Sequence, residues 1–533
     1  MLYNLLIIRF ILIIISMVPF ILPFNAYVKY YMMYISLYIN VIITIICLIC
    51  WPNTIHEINI YNISIFTGYN INLSLNFIGL YFSFMVDILI WLCFSYNRYL
   101  LSTGFNIGRH NLQSIRTYSS DELSLMLFYI ISVGFFSSND FVTTGLLFEF
   151  QNVPLLLMIN SKYYQPRNFT SKPYIYNPEA FLSSGNTYYI THNMPIFPAK
   201  GIGMASFLLL AYGFLSGIFL FFGFNSLYLF TNCSNISKCI DILDIIEIPN
   251  NVIFGIWLIF ISGAIKLAIF PFHVWLGKVH VESPTVGSVL LAAIALKSGF
   301  YLHILFWNHF NSFNKLGFII YNLNYIDFIL LLFMIGALFS SLSLFFQHDL
   351  KRWIALFSIS HMQLFYFLFF AVNMYTSNYN TLNILNISII VGMIGHSFIS
   401  AGLFFVGGYI SDETGSRILN EIGNVLSIRS RNIFFLLLLS NSAFPMTVLF
   451  ICELMAYTQL AHWNFFFTIY GLLISSTCLL SSLYIYSKYF IQPATISKYR
   501  VNNDSFLFYI ISPLQFIVFL LGFQIFTPIL FFL

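Results

Sequence analysis

The chain has 533 residues, 59% of them hydrophobic and only 8% charged, with 22 basic against 18 acidic side chains and a mean hydropathy of +0.86. A soluble domain carries about 25% charged residues, so this composition excludes a soluble globular protein and implies an integral membrane protein with no nucleic-acid partner. The seven cysteines are scattered; none has metal, haem or iron–sulfur spacing, Cys47 and Cys50 lie in the apolar run VIITIICLIC and read as membrane packing, and Cys233 and Cys239 are a candidate disulfide within one loop.

Apolar stretches of about 20 residues, the length that crosses a bilayer as a helix, fall near 5–25, 29–50, 77–97, 123–137, 140–160, 203–231, 252–272, 285–308, 326–346, 351–374, 384–410, 433–460, 463–487 and 506–532. The first starts almost at Met1 and no cleavable signal or transit peptide precedes it. Fourteen spans place both termini on one side, and the basic residues test the count. Lys238 and Lys315 lie in even-numbered loops and Arg9, Lys266 and Lys297 lie within spans; the other seventeen of the 22 lie in odd-numbered loops. Positive charge gathers on the cytoplasmic or matrix side, so the odd loops are expected there. The loop 160–201 is far longer than a hairpin needs and is expected to dock on a partner or to be disordered. Gly277 to Thr285 reads as a short polar turn between spans seven and eight.

Pro271 interrupts span seven and Pro445 span twelve, since proline removes a backbone donor and clashes with the preceding turn. Paired interruptions in corresponding places are the sequence sign of an inverted repeat. Lys266 lies inside span seven, Lys297 inside span eight, and Glu149, Glu453 and Asp87 inside spans five, twelve and three. A charge at bilayer depth costs at least about 2.5–3.5 kcal/mol and by default marks an ion or proton path. Burial disfavours an ammonium and a nearby carboxylate restores it, so moving the carboxylate away lets a buried lysine release its proton. His361 and His396 lie within spans ten and eleven and suit a relay between such sites, although a hydrogen-bonded core histidine reads the same way. His273, His280 and His303 sit near span ends and are expected to be solvated. Asp87 fits structural pairing as well as transport, and Lys351 and Arg352 read as interfacial anchors of span ten.

The stretches KLAIFPFHVWLGKVHVESP (266–284), GSVLLAAIALKSGFYL (287–302), HDLKRWIALFSISHM (348–362), GHSFISAGLFF (395–405), FPMTVLFICEL (444–454) and LLFEFQNVPLLLMI (146–159) resemble the antiporter-like, proton-pumping membrane subunits of respiratory complex I. HVESP followed by LAAIALK is most similar to the subunit 4 branch. The resemblance implies an all-α polytopic fold of about fourteen transmembrane helices, with two inverted five-helix repeats (helices 4–8 and 9–13) and broken helices 7 and 12. It divides the chain into 1–122, three N-terminal helices and a loop; 123–308, the first repeat with the matrix loop 160–201; 309–490, the second repeat; and 491–533, helix 14. Glu149, Lys266, Lys297 and Glu453 then take the proton-translocating positions, with His361 and His396 as relay residues and Pro271 and Pro445 as the structural breaks. The implied setting is the mitochondrial inner membrane, with termini toward the intermembrane space. Neighbours would be antiporter-like subunits 2 and 5, accessory subunits and lipids such as cardiolipin. NADH, FMN, iron–sulfur clusters and ubiquinone would be bound by other subunits, with no cofactor or metal in this chain. Three features depart from the family pattern: the long 160–201 loop, the sequence FEFQNVP around Glu149, and the first ~120 residues. A subunit of a multisubunit cation/proton antiporter shares the same signals, and a membrane scaffold whose charges only bind partners is the remaining alternative.

Overall fold

Thirteen of the fourteen expected spans are helices in the computed structural model, which describes residues 2–17, 19, 26–51, 57–66, 69–102, 112–164, 199–246, 248–306, 325–375, 379–414, 417–422, 428–463, 465–491, 512–515 and 517–518. Most of the long loop and most of the fourteenth span lie outside the described residues. The first four helices are α1 (Leu2–Ile15), α2 (Ala26–Ile49), α3 (Phe77–Ser102) and α4 (Leu112–Ser137). α4 starts in the polar stretch LQSIRTYSSDEL, well before its apolar run, which is why hydropathy made it look short. Between α2 and α3 stands an antiparallel hairpin, β1 (Glu57–Phe66) and β2 (Tyr69–Asn76), with Glu57 paired to Asn76. Its period-two alternation, EINIYNISIF, is a strand signal that span counting passed over; the membrane bundle itself is all helical.

The rest of the chain forms α5a (Phe141–Phe150), α5b (Asn152–Tyr164), α6 (Ala199–Thr231), α7a (Asn250–Lys266), α7b (Val274–Glu282), α8 (Thr285–Leu305), α9 (Tyr325–Ser343), α10 (Leu350–Tyr375), α11 (Tyr379–Thr414), α12a (Ile428–Asn441), α12b (Val448–Trp463) and α13 (Phe465–Ile485). The expected polar turn at Gly277–Thr285 is corrected: it is helical through Glu282, and only Ser283 and Pro284 separate α7b from α8. Cys233 and Cys239 are free thiols, so the candidate disulfide is absent.

Both broken helices stop in the same way. After α7a, Ala268 takes a left-handed φ of 55°, and the amide of Ile269 reaches back to the Ala264 carbonyl at 3.0 Å while that of Ala268 bonds Ile265 at 3.1 Å. This is the Schellman closure, which satisfies carbonyls that a terminated helix leaves open. Pro271 forbids continuation, and Trp275 Nε1 from α7b donates across the gap to the Ile265 carbonyl at 3.3 Å. After α12a, Ala443 has φ 54° and Phe444 N bonds the Leu439 carbonyl at 3.1 Å. Thr447 then caps α12b, its hydroxyl oxygen accepting from Phe450 N at 3.4 Å, a normal N-terminal device.

A second pair of matching features fixes the repeat. Asp140, just before α5a, bridges Asn235 beyond α6, and Asp349, just before α10, bridges Ile418 beyond α11. The bonds correspond one for one: Phe141 N to Ser234 O at 3.0 Å and Ile236 N to Asn139 O at 2.8 Å in the first latch, Leu350 N to Arg417 O at 3.0 Å and Leu419 N to His348 O at 2.8 Å in the second. Because five spans separate them, the latches lie at opposite faces of the bundle, as an inverted repeat requires. α8, α10 and α11 are buried along 89%, 94% and 89% of their apolar windows, against 39% for α6 and 33% for α13. These three are the inner helices, and they carry Lys297, Lys351, His361 and His396.

Candidate functional site

Gly263 of α7a and Gly299 of α8 bring the two lysine-bearing helices into backbone contact. A Cβ on Gly299 would lie 2.7 Å from the Gly263 carbonyl and 3.2 Å from Lys266 Cβ. Small residues at such crossings are the usual way helices approach closely in a bilayer. Lys266 ends α7a, where the helix dipole favours a cation, and is 3% exposed. Its Nζ donates to the Phe148 carbonyl at 2.9 Å and to Asn152 Oδ1 at 3.0 Å, and lies 4.5 Å from the centre of the Phe148 ring. Glu149, the expected partner, interacts electrostatically with Lys266 but accepts its own bond from Ser216 Oγ of α6 at 3.3 Å. Glu149 also lines a cavity of about 460 Å³ together with Phe214, Gly217 and Phe222; Phe214 and Phe222 are 69% and 63% exposed, so the cavity opens on the outer flank of α6.

The second half of the site starts one helix further in. α8 contains a π-helical turn, Leu291–Ala295, the kind of widened turn often found at functional sites. Lys297, fully buried, folds back over it to donate to the Ala292 carbonyl at 2.8 Å. The same Nζ lies 3.1 Å from Nδ1 of His396 on α11. An ammonium can only donate, so Nδ1 is the acceptor while Lys297 is charged. The His396 and His361 rings follow at 6.0 Å between centroids, and His361 Nδ1 lies 3.6 Å from Oε1 of Glu453 on α12b. Five buried or half-buried groups expected from the sequence thus line up as Lys266, Lys297, His396, His361 and Glu453, with Glu149 at the outer end.

Several expectations are corrected. His280 and His303 are not solvated but fully buried. His280 stacks on Phe404 at 4.5 Å, and both its ring nitrogens lack a hydrogen-bond partner among the described residues. His303 Nε2 bonds the Phe260 carbonyl at 2.9 Å, and its Nδ1 pairs with the Tyr366 hydroxyl. Lys351 is not an interfacial anchor: it is 2% exposed and donates to the Ser283 carbonyl at 3.3 Å, whereas Arg352 is exposed. His280 interacts electrostatically with both Lys297 and Lys351, so a polar branch leaves the axis along α7b. Reading α7b as a turn placed His280 in water, and the lost signal is the helical periodicity of VWLGKVHVE. Asp87 takes the structural option: Arg9 Nη2 donates to its Oδ2 at 2.9 Å, Arg9 Nη1 to Ser83 Oγ at 3.0 Å, and Tyr129 OH to Asp87 Oδ1 at 2.8 Å. Among the described residues no three His, Cys, Asp or Glu side chains gather as a metal centre would need.

The sequence profile described as NADH:quinone oxidoreductase/Mrp antiporter, TM, matches residues 200–480, which carry both broken helices and the buried Lys266, Lys297 and Lys351. The chain belongs to this family. Among its relatives, NADH-ubiquinone oxidoreductase chain 4 of Dictyostelium discoideum is 28% identical over 445 residues, 80% of this chain and 68% of that protein. The chain 4 of Dictyostelium citrinum is 32% identical over 307 residues, 55% of this chain and 68% of that protein. The solved structure of an archaeal respiratory membrane complex, the membrane-bound sulfane sulfur reductase, contains a chain with TM-score 0.71 at 14% identity, covering 98% of this chain and 93% of that one. At that identity the likeness speaks for the fold alone.

Proposed function

We propose that the chain is a proton-translocating membrane-arm subunit of the complex I type NADH:ubiquinone oxidoreductase, lodged in the mitochondrial inner membrane. The observation that carries this reading is the buried line of ionisable groups through the two repeats, with Lys297 3.1 Å from His396 and His361 3.6 Å from Glu453. Charges at this depth are costly and are retained for ion or proton movement. Protons would pass between the Glu149–Lys266 end and Glu453 through Lys297 and the two histidines. Neutral histidine can accept at one nitrogen and donate from the other, so His396 can take a proton from Lys297 and pass one on toward His361. Electron transfer, with NADH, FMN, iron–sulfur clusters and ubiquinone, would belong to other subunits and drive the lysine–glutamate switch by electrostatic or conformational coupling.

The relatives' names favour this reading over a multisubunit cation/proton antiporter, which the family also includes. Subunits 2 and 5 as membrane neighbours, accessory subunits and cardiolipin are its implied partners. The charge asymmetry of the loops supports termini toward the intermembrane space and the loop 160–201 in the matrix. The test is native purification followed by proton uptake in liposomes driven by NADH oxidation. Co-purification with redox subunits and loss of uptake in Lys266→Ala and Lys297→Ala complexes are expected. Normal uptake in both variants would reduce the chain to a scaffold.

A further inference from the structure

The two latches align the repeats residue by residue, and that alignment exposes a position that neither the sequence reading nor the proposed path uses. Asn152 stands twelve residues beyond the latch residue Asp140, and His361 stands twelve beyond Asp349. On the returning helices, Gly213 precedes Asn235 by the same distance that His396 precedes Ile418. The contacts agree with this correspondence. His361 faces His396 in the second repeat, and in the first a Cβ on Gly213 would run into the Asn152 amide. The place held in one half by a proton-carrying imidazole is held in the other by an amide that cannot titrate.

We propose that Asn152 is the positioning residue of the Lys266–Glu149 pair, an amide bridge that keeps ammonium and carboxylate apart. The inference rests on the proton-translocation reading above. Asn152 lies at the junction of α5a and α5b, is 5% exposed, and accepts from Lys266 Nζ at 3.0 Å through Oδ1. Its amide nitrogen points to α6 at Gly213, one turn from where the Glu149 carboxylate meets Gly217, and the amide interacts with that carboxylate. α6 is cut to fit both side chains: Gly213 leaves room for the Asn152 amide, and Gly217, one turn on, leaves room for the Glu149 carboxylate. An amide offers an acceptor to the cation and donors to the anion at once. It therefore holds the separated state, in which Lys266 rests on Phe148 and Asn152 and Glu149 on Ser216 and Asn152. Without it, a buried ammonium and carboxylate collapse into a direct pair, since each is costly to leave uncompensated. The switch then loses one of its two states. Asn152 carries no proton itself.

The experiment measures proton uptake per electron in liposomes containing the intact complex, normalised to assembled complex. Asn152→Leu keeps the shape and removes the hydrogen bond from Lys266 together with the amide's interaction with Glu149, and a hydrogen bond to a charged group is strong enough for its loss to shift a two-state equilibrium about tenfold or more. Uptake in Asn152→Leu is expected to fall about tenfold at an unchanged amount of assembled complex, with Asn152→Ser, which restores a donor and an acceptor, regaining part of it. Asn152→Leu combined with Glu149→Gln should pump no worse than Glu149→Gln alone, because both act on one switch. Near-native uptake in Asn152→Leu, additive losses in the double variant, or failure of both Leu and Ser variants to assemble would overturn the proposal; a purely structural amide predicts the second or third. Lys266→Ala separates this from the underlying reading: full uptake there removes both, whereas a dead Lys266→Ala beside a normal Asn152→Leu removes only the bridge.

Discussion

Replacing Lys266 by arginine separates a proton switch from a fixed charge. The ammonium sits 2.9 Å from the Phe148 carbonyl and 3.0 Å from Asn152 Oδ1, and a guanidinium, with its fork of donors, can serve the same two acceptors. Charge and hydrogen bonding are then kept, and the complex is expected to assemble. What is lost is the deprotonated state. A guanidinium holds its proton about 2–3 pKa units more tightly than an ammonium, so freeing it in the same site costs about 3–5 kcal/mol more than for Lys266. A barrier raised by that much slows a step by about 10²–10³-fold. Proton uptake per electron, measured with a pH-sensitive dye in liposomes carrying the purified complex, should drop to background, and NADH:quinone turnover should fall with it if coupling is tight. Lys266→Ala should do the same, leaving Phe148 O and Asn152 Oδ1 without their donor. Full uptake in an assembled Lys266→Arg complex would refute the switch, because a fixed positive charge would then be sufficient.

His396→Leu removes the base that lies 3.1 Å from Lys297 Nζ; a positioned proton acceptor contributes roughly 10²–10⁴-fold, so uptake should fall at least a hundredfold, and unchanged uptake would take His396 off the path. Arg9→Met or Asp87→Asn leaves one member of a fully buried ion pair without its counter-charge, a cost of about 3–5 kcal/mol, so assembled complex on native gels should drop, while Arg9→Met with Asp87→Leu recovers much of it. Asp121 lies at the polar start of α4, outside the apolar run, and burial pushes its carboxyl from 3.8 up to about 6 against a stabilising bond with Ser161. A raised acid costs stability once ionised, so the penalty of up to about 3 kcal/mol is absent below pH ~4 and complete above ~6; Asp121→Asn should raise the thermal midpoint of the complex at pH 8 and leave it unchanged at pH 4. Protease added to mitoplasts should spare the loop 160–201, and cleavage there from the outer side would reverse the topology.

The membrane fold was legible because bilayer length and proline chemistry are written locally. Pro271 and Pro445 announce both breaks, and each helix does end just upstream, with Ala268 and Ala443 closing the turns. Buried charge was equally legible: Lys297 and Glu453 are costly wherever they sit in an apolar run. Partnership was not. That Lys266 rests on Asn152 depends on how α5 docks against α6 and α7a, which no span pattern encodes. Lys351 and His280 were misread because a charge beside Arg352, or a histidine near Pro284, looks interfacial in one dimension. Only the packing of α7b against α10 shows that both are inside. The hairpin at Glu57–Asn76 was passed over because hydropathy counts apolar residues and is blind to period.

The repeats share a scaffold and not its chemistry, and that difference gives the axis its order. Aligning the two breaks on Ala268 and Ala443 places Lys266 opposite Asn441, which is buried with both amide atoms lacking a partner among the described residues. Aligning the latches places Asn152 opposite His361 and Gly213 opposite His396. The first repeat therefore has its cation at the break and an amide on the packed helix pair, while the second has an amide at the break and two imidazoles on the packed pair. A symmetric arrangement would offer a proton equivalent stations in both halves. On the proposed path the first half holds a charge that can be paired or released, and the second holds carriers that end at Glu453. Latches and broken helices supply an inverted frame in which the sites interlock at α8, and differences at three equivalent positions give the proposed path a switch at one end and a relay at the other.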